Sequence, residues 1–363
     1  MRLRRSERHR VPRAPALTLA FTLILGGCAG SRATGNTSAR ESPPTTNASP
    51  ELARTVIRRA AMGGEARIVL YSERRTEGSI GAEGAFVRLA ELDNAMSDYR
   101  PRSELNQLVA APAEEWVTVS PDLFAVLKAA CTLAERSGGA YDPTIGPVVD
   151  LWRSAWRAGK LPSAIELADA TARVGYEQIE LHPWAPRVRL MQPGMRLDLG
   201  GIGKGYAADA ALAVLRDRGI TRALVDLGGD IAVGDAPPDR DGWRVALDST
   251  LAGRTNGDDA VVALQTAAIA TSGDAYRHME IDGVRYSHIV DPRTGRGLTT
   301  QRAVTVIARD ATTADGLASA LSVLGAERGF VLLEAYPGAS ARIEEVIDGV
   351  PLAWFSPGFP ATE

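Results

Sequence analysis

"RLDLGGIGKGYAADAA", residues 196–211, decides how the chain is read. A short apolar alternation runs into four glycines and a lysine and then directly into a helical pattern. The spacing predicts a strand, a tight turn and a helix over 204–218, with Tyr206, Ala210 and Val214 on one face and Gly219 as the cap. Such a turn offers unpaired N–H groups and the positive end of a helix dipole to an anion. The order G-G-x-G-x-G matches neither the dinucleotide fingerprint nor the P-loop, because Gly205 stands where Ser or Thr would follow Lys204. On these residues alone, a phosphate cradle and a merely tight turn are equal readings.

Outward from this turn, both element types occur without strict alternation. Strands are predicted at 66–71, 187–191, 222–227, 243–247, 261–265, 284–290 and 303–308. Helical spacing places Phe86, Leu89, Leu92 and Met96 on a helix over 78–96, and Phe124, Leu127 and Leu133 on another over 121–136. A third, over 313–324, stops at Gly325. This mixture implies an α+β fold of mixed sheets with packed helices rather than a doubly wound parallel sheet.

Three further stretches carry chemistry-bearing groups. "VDLGGDIAVG" (225–234) repeats Asp-Leu-Gly-Gly, and Gly228 with Gly229 admits a close strand or a ligand. "IATSGDAYRH" (269–278) and "YSHIVDPRTG" (286–295) flank a hairpin turn at 281–283, a pairing expected to bring Thr271 and Ser272 near His288. His288 is one of only four histidines and stands beside Asp291, Arg293 and Thr294, the mixture that anion chemistry needs. "TTADGLASALSVLG" (312–325) sets Asp315 and Ser319 one helical turn apart. Their oxygens suit a hard cation, or else form a solvated face.

The N-terminus has a different character. "MRLRRSERHRVPR" holds six arginines against one glutamate, and "APALTLAFTLILGG" is apolar and uncharged, the pattern of a secretory signal over residues 1–27. Small residues before Cys28 resemble the lipobox of bacterial lipoproteins, which implies lipidation at Cys28. Residues 29–50 contain no aliphatic side chain larger than alanine, so 28–50 reads as a lipidated cysteine and a flexible tether with a span of about 25 Å. The folded body is then 51–363. Loss of the signal takes the net charge from −3 to −8, which argues against a nucleic-acid partner. With Cys28 lipidated, Cys131 is alone and no internal disulfide forms.

Taken in order, "MGG" (62–64), "SDYRPRSELNQL" (97–108), "GGAYDPTIGPVVDLW" (138–152), "DLGGIGKGYAAD" (198–209), "LVDLGGDI" (224–231), "TSGDAY" (271–276), "SHIVDPRTG" (287–295) and "ADGLASALSVLG" (314–325) follow one family's motif order. The chain resembles the ApbE-type FAD:protein FMN transferases from Met62 almost to its C-terminus. The resemblance implies Mg²⁺-dependent transfer of FMN from FAD to a Thr or Ser hydroxyl of a target protein, with release of AMP. It implies FAD contacts at Met62, Tyr99, Ala140, Tyr141, Asp142, Gly200, Lys204, Tyr206 and Ile289. Mg²⁺ is implied at Gly203, Asp315 and Ser319, and His288 is implied as the catalytic group, either base or covalent carrier. The implied acceptors are flavoprotein subunits of membrane redox complexes, met on the periplasmic side of a bacterial membrane, inner or outer. "MGG" stands for the commoner Met-Gly-Thr, Gly203 for alanine and Ser319 for threonine; serine keeps the oxygen but loses the methyl that stiffens χ1. Two alternatives are an FAD pyrophosphatase giving FMN and AMP, and a non-catalytic flavin-binding lipoprotein.

Overall fold

The apolar alternation of residues 66–70 and 303–308 places side chains on both faces of one sheet, and both faces are covered. The computed structural model describes residues 51–247, 260–274 and 277–362. The expected signal, lipidated Cys28 and tether lie outside the described residues. The first elements are β1 (Ala53–Ala61), β2 (Gly64–Ser72), α1 (Arg75–Met96), α2 (Glu104–Ala110), β3 (Val117–Thr118) and α3 (Pro121–Arg136). Next come α4 (Gly146–Ala158), α5 (Ala164–Thr171), β4 (Ile179–Leu181), β5 (Arg187–Leu190), α6 (Gly203–Asp217), β6 (Ala223–Leu227) and β7 (Ile231–Val233). They are followed by β8 (Trp243–Leu247), β9 (Ala260–Leu264), β10 (Ala267–Gly273), β11 (His278–Ile281), β12 (Val284–Ser287), β13 (Val290–Asp291) and β14 (Arg296–Gly297). The chain closes with β15 (Arg302–Ala308), α7 (Ala311–Leu333), β16 (Ser340–Ile347) and β17 (Val350–Phe355).

Eight strands form the main sheet in the order β1-β2-β6-β7-β10-β15-β16-β17, every neighbouring pair antiparallel. This bears out the α+β reading. Ile68 and Leu70 of β2 and Val304 and Val306 of β15 point into the core beneath α1, α6 and α7. Val69, Leu224, Ile269 and Ile307 point the other way, onto the β8–β9 ribbon with Trp243 and Val245. Each such aliphatic side chain contributes about 1.5–3 kcal/mol through its burial.

Local sequence explains the helices. In α1 the predicted Phe86, Leu89, Leu92 and Met96 are all buried. α3 starts where Ser120 accepts the Leu123 N–H at 3.2 Å and Pro121 opens the first turn. Its buried face is centred on Leu123, Leu127 and Ala130; the expected Phe124 sits at the margin. α6 is rotated in the same way: Ala207, Ala211 and Leu215 are buried rather than Tyr206, Ala210 and Val214, because small residues let α1 and α7 approach. A Cβ on Gly205 would lie 2.1 Å from the Ala311 carbonyl oxygen, so only glycine admits this crossing. α7 breaks at Gly325, where φ is 74°, matching the predicted stop, and then resumes to Leu333.

Two expectations are corrected. The approach to the glycine-rich turn is no strand: residue 196 makes a single bridge to Ile145, and the nearest strand is β5. The hairpin at 281–283 is real, with Asp282 and Gly283 both at positive φ, but its partner strand is β11, not residues 271–272. Thr271 belongs to β10, and its hydroxyl meets Thr305 at 3.1 Å across β15.

Candidate active site

Three pieces of chain far apart in sequence meet at the N-terminal end of α6. The turn at 198–203 is tied by Asp198, whose carboxylate accepts the Gly200 N–H at 2.7 Å, and by the Gly203 N–H donating to the Leu199 carbonyl at 2.7 Å. Gly205 donates its N–H to Asp315 Oδ2 at 2.9 Å, joining the first turn of α6 to α7. Lys204 forms an ion pair with Asp230, a buried carboxylate in the turn between β6 and β7. Gly228 and Gly229 shape that turn through positive φ, and no neighbour crowds them. The repeated Asp-Leu-Gly-Gly therefore shapes a turn, and no described strand packs closely on its glycines.

Electrostatics mark this cluster. Burial, reinforced by Asp230, pushes the Asp315 carboxyl up to about 8, against Lys204 and the Gly205 N–H, which favour its ionised form. Lys204 is held above the usual ammonium range: burial opposes its charge, but Asp230 and Asp315 outweigh that effect. Asp315 is thus no solvated face. Ser319 lies against Gly201, where a Cβ would come 2.5 Å from its Oγ, and the Tyr141 ring packs on the same glycine. The Tyr141 hydroxyl is buried and has no hydrogen-bond partner among the described residues. Asp315, Ser319 and the Gly203 carbonyl offer only oxygen donors, the chemistry of a hard cation that keeps several water or phosphate ligands. Among the described residues no group of three or more His, Cys, Asp or Glu could hold a metal. An unpartnered phenol and a carboxyl held up by burial fit a site that takes such a cation with an anionic ligand.

Tyr99 is widely exposed, with the Arg153 guanidinium 4.4 Å from its ring centre on one side. Arg153 is itself held by Asp98 at 2.7 Å and Asp198 at 3.5 Å. The ring thus stands rigidly with area free for stacking. Met62 occupies the first corner of the two-residue β1–β2 turn at φ 52°, beside an open groove of about 610 Å³ that Arg58, Asp93 and Arg100 also line.

His288 follows β12. Its side chain is open, yet its Nδ1 lies 3.1 Å from the Arg277 carbonyl, which also accepts the His288 N–H at 3.0 Å. A carbonyl only accepts, so Nδ1 carries the proton and Nε2 presents the lone pair. Surrounding protein, with Arg277 and Arg285, keeps the imidazole below its usual range despite Asp274 and the Arg277 carbonyl. The Arg277 charge also opposes that of Lys204 and slightly favours ionisation of Tyr99. β11 to β14 are docked on α4 and α5: Trp152 stacks near Tyr286 with ring centres 5.6 Å apart and donates Nε1–H to the Gly295 carbonyl at 2.8 Å.

The other expected residues have these partners and surroundings. Both Asp142 oxygens are engaged, Oδ1 by Thr144 N–H and hydroxyl and Oδ2 by the Tyr176 N–H, so its carboxylate organises its own loop. Tyr206 donates to Asp122 at 2.8 Å, tying α6 to α3 rather than facing Lys204. Ala140 is buried, Gly200 is exposed, and Ile289 accepts the Leu298 N–H through its carbonyl at 2.9 Å. Asp230 and Arg277 escaped the sequence reading, although each sits inside a motif that it singled out.

The family model described as the ApbE family matches residues 62–343. This chain belongs to the ApbE family. A protein of Treponema pallidum named FAD:protein FMN transferase is 36% identical over 295 residues, 77% of this chain and 81% of that one. Another so named, from Vibrio cholerae, is 35% identical over 264 residues, 72% of this chain and 78% of that one. Among solved structures, the flavin transferase ApbE from Vibrio cholerae superposes with a TM-score of 0.76 at 29% identity, over 85% of this chain and 98% of that one. The apo flavinyl transferase ApbE of Pseudomonas stutzeri gives 0.75 at 27% identity, over 85% and 96%. The ApbE fold expected from motif order is therefore the fold found.

Proposed function

We propose that this ApbE-family protein is an FAD:protein FMN transferase that moves FMN from FAD onto a Ser or Thr hydroxyl of a protein and releases AMP. What supports this reading is membership of the ApbE family, together with the Lys204–Asp230–Asp315 cluster at the start of α6 and an imidazole whose Nδ1 is engaged by the Arg277 carbonyl.

Tyr99 stacks on the isoalloxazine ring, and Met62 borders it. Lys204 and the free N–H groups at the start of α6 hold the diphosphate. Asp315, Ser319 and the Gly203 carbonyl would hold Mg²⁺, which would neutralise diphosphate charge when bound. His288 Nε2 takes the acceptor's hydroxyl proton while the oxygen attacks the FMN phosphorus, and the bond from that phosphorus to the AMP oxygen breaks. Water in place of the acceptor gives FMN and AMP, and a merely flavin-binding protein leaves FAD intact.

Location belongs to the same proposal. A signal over 1–27 and lipidated Cys28 would hold the body on the periplasmic side of a membrane, near flavoprotein subunits of redox complexes. Mass spectrometry of a candidate subunit incubated with the protein, FAD and a magnesium salt tests the activity. An FMN-sized adduct on the subunit, lost in Asp315→Ala and absent without magnesium, is the expected result. Unchanged subunit beside intact FAD overturns it.

A further inference from the structure

Asp274, just beyond β10, is a buried carboxylate that the proposed transfer does not use. Its side chain is 2% exposed, and Arg285 of β12 grips it twice: Nη1 donates to Oδ2 at 2.5 Å and Nη2 to the main-chain oxygen at 2.7 Å. The remaining oxygen, Oδ1, is buried and has no hydrogen-bond partner among the described residues. A buried pair with unused acceptor capacity is a poor source of stability, and apolar residues of equal volume would often do better. Its value here is geometric.

The bonds close into a ring. Arg285 holds the Asp274 carbonyl; that carbonyl also accepts the Arg277 N–H at 3.3 Å; the Arg277 carbonyl accepts the backbone N–H and Nδ1–H of His288; and His288 lies three residues beyond Arg285. The hairpin ladder, in which His278 faces Ser287, holds the Arg277 carbonyl from one side, and the bonds to Asp274 hold its residue from the other.

We propose that the Asp274–Arg285 pair is a positioning device for His288, fixing the Arg277 carbonyl so that Nδ1 stays protonated and Nε2 faces the acceptor hydroxyl. This rests on His288 as the base of the transferase reading. In the step served, the hydroxyl proton moves to the Nε2 lone pair, the oxygen bonds to phosphorus, and AMP leaves with the electron pair of the broken P–O bond. The proton then passes from Nε2 to solvent. Among the described residues, the charges acting on His288 are Arg277, Asp274 and Arg285. Removing Asp274's charge therefore lowers the imidazole's protonation range further, and removing Arg285's raises it.

The test uses the full chain labelled with ¹⁵N-histidine, the His288 signals being assigned by their loss in His288→Gln. In the wild type the neutral ring should carry its proton on Nδ1. Asp274→Asn and Arg285→Gln should give a mixture of tautomers. With the acceptor subunit that the wild type labels, both should lower kcat about 10- to 100-fold, as misplacement of a reacting group does, while KM for FAD stays within about threefold. The acidic limb of the pH profile should move down in Asp274→Asn and up in Arg285→Gln, and Arg285→Lys should recover part of kcat. A wild-type ring protonated on Nε2 overturns the proposal even where no variant folds. Variants with the wild-type tautomer and pH limb, losing only stability, also overturn it. Absence of transfer by the wild type sinks the transferase reading instead and leaves the tautomer measurement standing.

Discussion

The α6–α7 junction and the β11–β14 arm each carry one half of the proposed site, and they are built on opposite plans. Lys204 and Asp315 belong to long helices whose buried faces form the main core, so their places follow from packing. His288 belongs to two-stranded ribbons outside the main sheet, fastened by Trp152, Tyr286 and the Asp274–Arg285 pair. The difference separates holding from reacting. The groups expected to hold a charged diphosphate cannot shift without disturbing the core, whereas the residue proposed to take the proton rests on an outlying arm.

The sharpest break between the halves should come from His288→Ala. Transfer is expected to fall about 10²–10⁴-fold, the usual range for losing a general base. FAD affinity should stay within about tenfold, or about 1.4 kcal/mol, by titration calorimetry. In the wild type, transfer should rise with pH as the imidazole becomes neutral. Since the folded protein holds that group below the usual histidine value of about 6.5, the midpoint should fall below that value too. Wild-type transfer with FAD binding lost would reverse the division of labour.

Gly205→Val attacks the other half. Its Cβ would meet the Ala311 carbonyl at 2.1 Å and Asp315 Cβ at 2.8 Å, so α6 and α7 must separate. Chemical denaturation should show a loss near the top of the about 1–3 kcal/mol typical of overpacking, with FAD binding lost as well. Unchanged stability would mean that the helix crossing does not set the site.

Asp209→Ala removes the cap that α6 lends to α7, where Asp209 accepts the Ala311 and Thr312 N–H groups, both at 2.8 Å. The expected cost is about 0.5–2 kcal/mol in unfolding free energy, with the His288 tautomer untouched. A changed tautomer would show the two halves to be coupled. The smallest effect is expected of Ser319→Thr, which stiffens the hydroxyl: magnesium affinity should tighten by no more than about threefold, about 0.7 kcal/mol. Weakened affinity would argue that Ser319 is no ligand.

The sequence by itself determined the elements whose signals are local. Phe86 to Met96 read as a helix because side chains three and four apart share a face, and the 281–283 turn was legible because Asp-Gly tolerates positive φ. The order of eight motifs carried the family. Edge and near-edge strands were missed: β1 is mostly exposed, and β16 buries Arg342 and Glu345, the latter paired with Arg302 at 2.7 Å, so neither shows clean apolar alternation. Only the tertiary structure paired Lys204 with Asp230 and Gly205 with Asp315, or ran the line from Asp274 to His288. Periodicity records what a residue's neighbours three or four positions away do. The partners of Lys204 and Gly205 stand 26 and 110 positions off, brought close by small residues where α6 crosses α7 and by the turn joining β6 to β7.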